Sequence, residues 1–128
     1  MGADITVYAE AKSGKKGKPY RFIGELNADR NYYMFTAMGY ELAYFEPVYR
    51  ARGLPGDVTN VVYLEYKKYC EAHHPSWLSA QELMDCIQYC EKLYEMDGGH
   101  HESFLKIYKL LKEYNDQGDE ARIVFWFS

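Results

Sequence analysis

The chain has 128 residues, of which 48% are hydrophobic and 27% charged, and this balance predicts one globular domain rather than a disordered segment. Its formal net charge is −4 at pH 7, and its one basic run, residues 12–19 (KSGKKGKP), is typical of a solvated hairpin loop. A nucleic-acid partner is therefore not expected, because proteins that grip phosphate backbones usually carry a basic patch.

The composition also indicates a compartment and a kind of surface. Three cysteines, an odd number, and the lack of a secretory apolar segment in the first residues (MGADITVYAE) predict a reducing cytoplasm, of a host or of a bacterium. No apolar run approaches the roughly 18–20 residues of a membrane-spanning helix, so a membrane partner is not expected. The 14 tyrosines suit a recognition surface, although the same rings also fill small cores.

Two strands are predicted at the start of the chain. Residues 4–12 (DITVYAEAK) alternate between apolar and polar side chains, which predicts a strand with one buried face and one polar face. Residues 20–26 (YRFIGEL) follow a Gly/Lys loop and are predicted to be its hairpin partner. Asp4 and Glu10 both lie on the polar face, roughly 20 Å apart at ~3.3 Å per residue, so they do not form one acid/base pair.

A short helix and a long loop are predicted next. Residues 27–39 (NADRNYYMFTAMG) predict a helix with Asn27 as its N-cap and Gly39 just past its end. Residues 40–57 (YELAYFEPVYRARGLPGD) show no clear period and contain two prolines and two glycines. A loop of this length is more often functional than accidental. It supplies three candidate binding residues: Tyr49, Arg50 and Arg52.

A second helix is predicted to begin at Asp57 or Thr59. It is expected to end near His73 and His74, because the residue before Pro75 is pushed out of the helical region. The spacing of apolar residues gives this helix a predicted inward stripe. The stripe consists of Val58, Val61, Val62, Tyr66, Tyr69 and Cys70.

Two more helices are predicted in the second half of the chain. Ser79 and Glu82 form a Ser-x-x-Glu capping box, which predicts a helix that starts immediately afterwards and stops at Gly98 and Gly99. The segment before this box, with Pro75 in it, is predicted to be a corner between two helices. A last helix is predicted over about residues 101–114.

The chain closes with residues 121–127 (ARIVFWF), which are so apolar that they predict a strand at the centre of a sheet. The predicted fold class is α+β, with residues 1–128 forming a single domain. In this prediction, a small, mostly antiparallel sheet consists of the N-terminal hairpin and the C-terminal strand, and it packs against about four helices.

Four residues have a spacing that suits zinc. Cys70 and His73 are separated by two residues, and Cys86 and Cys90 by three, as paired ligands of zinc fingers often are. Free cysteines, however, are among the most buried residue types, and the helix in between has its own capping box and needs no metal to fold. Buried reduced thiols are the favoured interpretation; no metal ligand is assigned, and the cofactor is unknown.

The remaining chemistry-bearing patterns are weak. His100 and His101 begin a predicted helix, where free amides could bind an anion, and the favoured alternative is a solvated turn without a ligand. The sequence contains no Walker or Rossmann phosphate loop, no Gly-x-Ser-x-Gly elbow and no His-Glu-x-x-His helix. No catalytic residue is therefore predicted.

Five blocks of sequence carry a resemblance to a known family. They are ADIT near the start, RNYYMFTAMG, RGLPGDV, HHPSWLSAQEL and ARIVFWF, spread in order over nearly the whole chain. Together they resemble a family of small uncharacterised proteins from tailed phages and prophages, which has no established biochemical activity. That family usually starts with Ala/Cys-Asp-Ile-His, followed by an acidic residue that Glu10 matches.

The resemblance assigns a corner and a turn to particular residues. The family's His-Ser-x-Ser-Trp/Tyr-Leu corner matches His74, Ser76, Trp77 and Leu78, and its turn matches residues 53–57 (GLPGD). The chain departs from the family in two places. Thr6 replaces the usual histidine, and Ser128 stands where the family tends to continue with Asp-Asn. If those groups were ligands in the family, this chain would lack them, which weakens an inherited enzymatic function.

We expect a non-enzymatic binding module, for a small polar or anionic, nucleotide-like ligand or for a host protein, because arginine forks and tyrosine faces suit planar anions. The first alternative is a structural or interaction protein whose aromatic surface forms a homo-oligomer. The second is a metal-dependent hydrolase that uses Asp4 with His73 or His74. The predicted site is a cleft walled by the long loop, the His-Pro-Ser-Trp segment and the polar face of the first strand. The candidate ligand-binding residues are Asp4, Thr6, Tyr49, Arg50, Arg52, His73, His74, Ser76 and Trp77.

Overall fold

A computed structural model describes residues 3–42, 45–94 and 101–128 of the chain. Within these residues a four-stranded antiparallel sheet, in the order β2-β1-β4-β3, is combined with four helices. The predicted α+β class is thereby confirmed. The elements are β1 (Ile5–Ser13), β2 (Arg21–Leu26), α1 (Tyr32–Ala37), α2 (Asn60–Lys68), β3 (His73–Ser79), α3 (Ala80–Tyr94), α4 (Glu102–Asp116) and β4 (Asp119–Phe127).

The C-terminal strand β4 lies at the centre of the sheet, as predicted. It pairs with β1 over nine residues, from Ile5 opposite Phe127 to Ser13 opposite Asp119, and with β3 on its other side. The main core lies between one face of this sheet and the helices α1, α3 and α4. Its fully buried side chains include Val7, Ala9, Ile123, Phe125, Phe127, Phe35, Leu83, Ile87, Phe104 and Leu111.

The opposite face of the sheet, which includes the face of β1 predicted to be polar, is also covered by protein. Tyr8, Val124 and Trp126 form a second buried cluster with Val62 of α2. Glu10, on the same face of β1, is fully buried. The predicted alternation of side chains is present, and α2 and its preceding loop cover the side that carries the polar residues.

The first two helices differ from the prediction at their ends. The N-cap of α1 is Asn31 and not Asn27, because the Asn31 side chain accepts a hydrogen bond from the Met34 amide. Gly39 follows this helix with a φ of 118°, as expected for a residue past a helix end. Thr59 caps α2, but the helix ends at Lys68, so Cys70 lies outside it and is exposed.

The predicted corner at residues 73–79 is wrong, because these residues form the edge strand β3. Pro75 lies within a register irregularity between His73 and Ser76, and edge strands and bulges are the places where a sheet tolerates proline. The capping box that follows is confirmed: the Ser79 amide donates to Glu82, and the Glu82 amide donates to the Ser79 hydroxyl. The predicted helix stop at Gly98 and Gly99, and His100, lie outside the described residues.

Candidate functional site

Two of the sequence blocks, the RGLPGD loop and the HPSW segment, lie side by side at the edge of the sheet. The Arg52 amide donates to the Ser76 hydroxyl at 3.0 Å, and the Gly53 amide donates to the Pro75 carbonyl at 2.8 Å. The loop thus covers the outer edge of β3. Ser76 is fully buried, and its hydroxyl is used to hold the loop.

The guanidinium of Arg52 is the centre of this junction. Its Nη1 donates to the Trp77 carbonyl at 3.1 Å and to Oε1 of Glu82 at 2.9 Å, and its Nη2 donates to Oε2 of the same carboxylate. The rings of Tyr49 and Trp77 lie 5.1 and 4.5 Å from the guanidinium carbon. The Arg52 charge is therefore paired with Glu82 at the partly exposed edge of the sheet.

Tyr49 fastens the same loop to α3. Its hydroxyl donates to Oδ2 of Asp85 at 2.5 Å, and this hydrogen bond, together with burial, raises the pKa of Tyr49 to about 12. The tyrosine hence remains a protonated donor at neutral pH. Glu82 and Asp85 are three residues, or about one turn, apart on α3. The loop is therefore bound to this helix at two acidic positions.

Three of the nine candidate residues are engaged in other places. Arg50 is exposed and pairs with Glu41 and Glu46, at 3.3 and 2.6 Å. Asp4 pairs with Arg30 at 2.8 Å at the start of β1. Thr6 lies directly opposite Trp126 of β4 in the strand register. The ion pairs of Asp4 and Arg50 are thus with residues outside the candidate set.

His73 and His74 are brought together with each other and with Tyr40. Their Nδ1 atoms lie 2.8 Å apart, and the Tyr40 ring contacts both imidazoles, with centroid distances of 4.8 and 5.4 Å. Burial, followed by the neighbouring His74, lowers the pKa of His73. Among the described residues, Asp4 is not grouped with these two histidines so that the three could hold a metal ion, and its carboxylate pairs with Arg30.

The structure also contains a buried ionic network that the sequence reasoning missed. Glu10 and Arg122 lie opposite each other on β1 and β4, are 0% and 3% exposed, and share a hydrogen bond of 2.8 Å. The other Glu10 oxygen accepts from the Thr59 amide, while Arg122 also donates to Asp57. The signal that could have revealed it was a pair of opposite charges, each isolated within an otherwise buried strand.

This network joins the first site through aromatic rings. The centre of the Trp77 ring lies 4.5 Å from the guanidinium carbon of Arg52 and 6.0 Å from that of Arg122, and the Tyr20 ring lies 3.5 Å from Arg122. Burial alone would raise the pKa of Asp57, but the hydrogen bond and charge of Arg122 outweigh it and lower that pKa. Both guanidinium groups therefore have carboxylate partners and neighbouring aromatic rings.

The zinc-like spacing does not correspond to a cluster. Cys86 and Cys90 are buried in the core, while Cys70 is exposed, and burial raises the pKa of both buried thiols, that of Cys90 to about 12. Among the described residues, no three His, Cys, Asp or Glu side chains are grouped so that they could hold a metal ion. Protonated thiols are poor metal ligands, which agrees with a packing role for the two buried cysteines.

His101 differs from the favoured interpretation of the second histidine pair, a solvated turn. It is 3% exposed, so it is not part of a solvated turn, and its Nε2 lies 2.7 Å from a Glu91 carboxylate oxygen. His101 therefore connects the start of α4 to α3.

The Arg52–Glu82 contact predicts a pH-dependent contribution to stability. The hydrogen bond from Arg52 lowers the pKa of Glu82, so its contribution is fully present above the unfolded pKa near 4.5 and is lost as the pH falls through the lower folded pKa. We expect Glu82→Gln, which can still cap α3, to cost about 1–2 kcal/mol at neutral pH and less at about pH 3. Urea unfolding of both proteins at the two pH values measures this; a difference independent of pH would contradict it.

No family model, curated protein or solved structure matches this chain. Within the part of the chain that the structure describes, no helix combines the length and apolar character required to cross a membrane. The function is therefore argued from the exposure, charge and contacts of the chain's own residues.

Proposed function

We propose that the protein is a non-enzymatic module that binds another protein through the outer side of α2. The observation that carries this proposal is the exposure of that helix. Val62 is its one buried residue, whereas Val61, Tyr63 and Leu64 are 46%, 44% and 59% exposed. We refer to these three side chains as the α2 surface.

The α2 surface is presented on a firmly held helix. Thr59 caps the N-terminus, and the Thr59 amide is bound to the buried Glu10 carboxylate. Behind the helix, the Tyr66 ring packs edge-on against Trp126 at 5.1 Å. Val61 and Leu64 are three residues apart and hence neighbours on the helix surface. Large apolar and aromatic side chains held in this way can bind a partner with little loss of conformational entropy.

The charges beside the α2 surface indicate the chemistry of the partner. Lys67 and Lys68 lie in the last turn of the helix, with the Lys67 ammonium 5.8 Å from the Tyr63 ring centre and Lys68 paired with Glu65. A partner that offers an apolar contact flanked by carboxylates would complement both features. The resemblance to phage proteins implies a bacterial host protein in the cytoplasm.

A small anionic ligand is less well supported by the contacts at the sheet edge. Arg50, Arg52 and Arg122 each donate to carboxylates of the protein. An incoming nucleotide would have to displace Glu82 from Arg52, and the rings of Tyr49 and Trp77 are already occupied by the same guanidinium. The arginines that suggested an anion site are therefore already paired with carboxylates of the protein itself.

The proposal is tested with one substitution in the α2 surface and a matched one elsewhere. Leu64→Glu adds a charge to the centre of the surface, while Leu93→Glu makes the same change at a leucine of α3 that is 48% exposed. A protein captured from host lysate by crosslinking is purified, and its affinity for each variant is measured by titration calorimetry. We expect Leu64→Glu to weaken binding about tenfold or more and Leu93→Glu to leave it within about twofold.

Two results would overturn the protein-binding proposal. Equal affinity of the captured partner for the wild type and Leu64→Glu would remove α2 from the interface. Light scattering that shows a dimer in the wild type and a monomer in Leu64→Glu would assign the same surface to self-association. A thermal-shift screen of nucleotides on the wild type examines the anionic-ligand alternative, and a concentration-dependent shift that Arg52→Met abolishes would favour that alternative.

A further inference from the structure

The pair of histidines at the start of β3 has features that the protein-binding proposal does not use. The two Nδ1 atoms, 2.8 Å apart, belong to adjacent residues whose ring planes are nearly perpendicular, at 84°. Tyr40 packs against both rings, and Phe127 lies behind Tyr40 and His73. Both imidazoles are partly exposed. Two ring nitrogens thus meet at one position between two partly exposed imidazoles.

The backbone holds this arrangement in an unfavourable conformation. His74 has a φ of 50°, in the left-handed region, and is the one residue other than glycine with positive φ among those described. The next residue is Pro75, whose carbonyl accepts a hydrogen bond from the Gly53 amide. A residue other than glycine in the left-handed backbone region costs about 1–2 kcal/mol, and such strain is concentrated at sites that bind or react.

We infer that His73 and His74 form a two-nitrogen site for a divalent transition metal of the Cu²⁺ or Ni²⁺ type. Imidazole nitrogens bind such ions at about 2.0 Å, so two ligands at the 90° angle of a square plane lie about 2.8 Å apart. A tetrahedral ion such as zinc would require about 3.3 Å. The observed separation of 2.8 Å matches the square-planar arrangement.

Solvent completes the coordination sphere in this proposal. No third His, Cys, Asp or Glu side chain of the described residues joins the pair. With two protein ligands the site is expected to be of moderate affinity and to follow the order in which Cu²⁺ binds more tightly than Ni²⁺ or Zn²⁺. This inference does not depend on a protein partner, because the histidines and the α2 surface are separate groups of residues.

The alternative occupant of the same position is a proton shared between the two rings. In that state one Nδ1 donates a hydrogen to the other, and no metal is required. Metal binding to both Nδ1 atoms requires each neutral ring to carry its one hydrogen on Nε2, and it weakens as the pH falls into the range where histidine is protonated. A metal site binds Cu²⁺ through both Nδ1 atoms at once, whereas a purely hydrogen-bonded pair does not.

The test uses Cu²⁺ as the probe. Copper binding to the full chain is measured by titration calorimetry near neutral pH, and electron paramagnetic resonance counts the nitrogen ligands. The variants are His73→Gln and His74→Asn, the second chosen because asparagine tolerates the left-handed backbone. Cys70→Ser is the control, since Cys70 is an exposed thiol three residues away that could bind copper by itself.

We expect one Cu²⁺ with two nitrogen ligands in the wild type, an affinity about tenfold or more lower in each histidine variant, and no change in Cys70→Ser. Copper bound through one nitrogen, or with the same affinity in either histidine variant, would overturn the site and leave a hydrogen-bonded pair. Circular dichroism of each variant before copper is added establishes that it is folded. A folded double variant that still binds copper with wild-type affinity would also overturn the inference.

Discussion

Replacing Arg122 with methionine is expected to lower the free energy of unfolding by about 3–5 kcal/mol. The substitution leaves the Glu10 carboxylate buried at 0% exposure with its charge uncompensated. It also removes the donors that hold Asp57 beside the start of α2. The Thr59 amide remains as a donor to Glu10, but one neutral donor does not replace a guanidinium. Urea unfolding followed by circular dichroism measures the loss.

Two comparisons separate the buried charge from the loss of an arginine as such. Arg21→Met removes an exposed pair with Asp119 and is expected to cost no more than about 1 kcal/mol. The double variant Glu10→Leu/Arg122→Met removes both buried charges and is expected to recover much of the stability, because well-packed apolar residues can replace a buried ion pair. If Arg122→Met cost no more than Arg21→Met, the proposed role of the network would be wrong.

The parts of the fold that could be predicted from the sequence are those that local patterns determine. The alternation in residues 4–12 and the apolar run at residues 121–127 predict β1 and β4, and the capping box predicts the start of α3. β3 could not be found in this way. It is seven residues long, contains Pro75, and is specified by pairing with a strand more than forty residues later in the chain.

The residues of the candidate site were predictable from the sequence, but the ion pair that occupies its arginine was not. The sequence placed the arginine-rich loop beside the His-Pro-Ser-Trp segment, and the Arg52–Ser76 and Gly53–Pro75 hydrogen bonds join them. It did not reveal that Glu82 neutralises Arg52, because that carboxylate was already explained as half of a capping box. Glu82 performs both functions at once: one oxygen accepts from the Ser79 amide, and both accept from Arg52.

The exposed apolar residues of α2 show a related limit. The period of 3.6 placed Val61 and Val62 on one inward stripe, yet adjacent residues on a helix are 100° apart, and the sheet covers only Val62. Sequence periodicity identifies which residues are apolar but does not determine how much of the helix a sheet of four strands can cover. The α2 surface consists of the apolar residues of this helix that the sheet does not cover.

Gly39→Ala is expected to destabilise the protein by about 3 kcal/mol, because it combines a strained backbone with a collision. Gly39 has a φ of 118°, and a Cβ there would lie 2.8 Å from the Ala51 nitrogen and 3.1 Å from the Tyr49 carbonyl oxygen. Both are backbone atoms of the loop that carries Arg52. The loop must move to admit the methyl group, which also disturbs the Tyr49–Asp85 and Arg52–Glu82 contacts.

Gly53→Ala is the matched control for the collision. Gly53 also has a positive φ, of 80°, but a Cβ there would have no atom within 4 Å. It should therefore cost about 1 kcal/mol, the strain of a left-handed alanine alone. Thermal unfolding of the two variants compares these costs directly. Equal losses would mean that the loop yields freely to Gly39→Ala, and the Arg52 junction could then not be the rigid support of the sheet edge that its hydrogen bonds indicate.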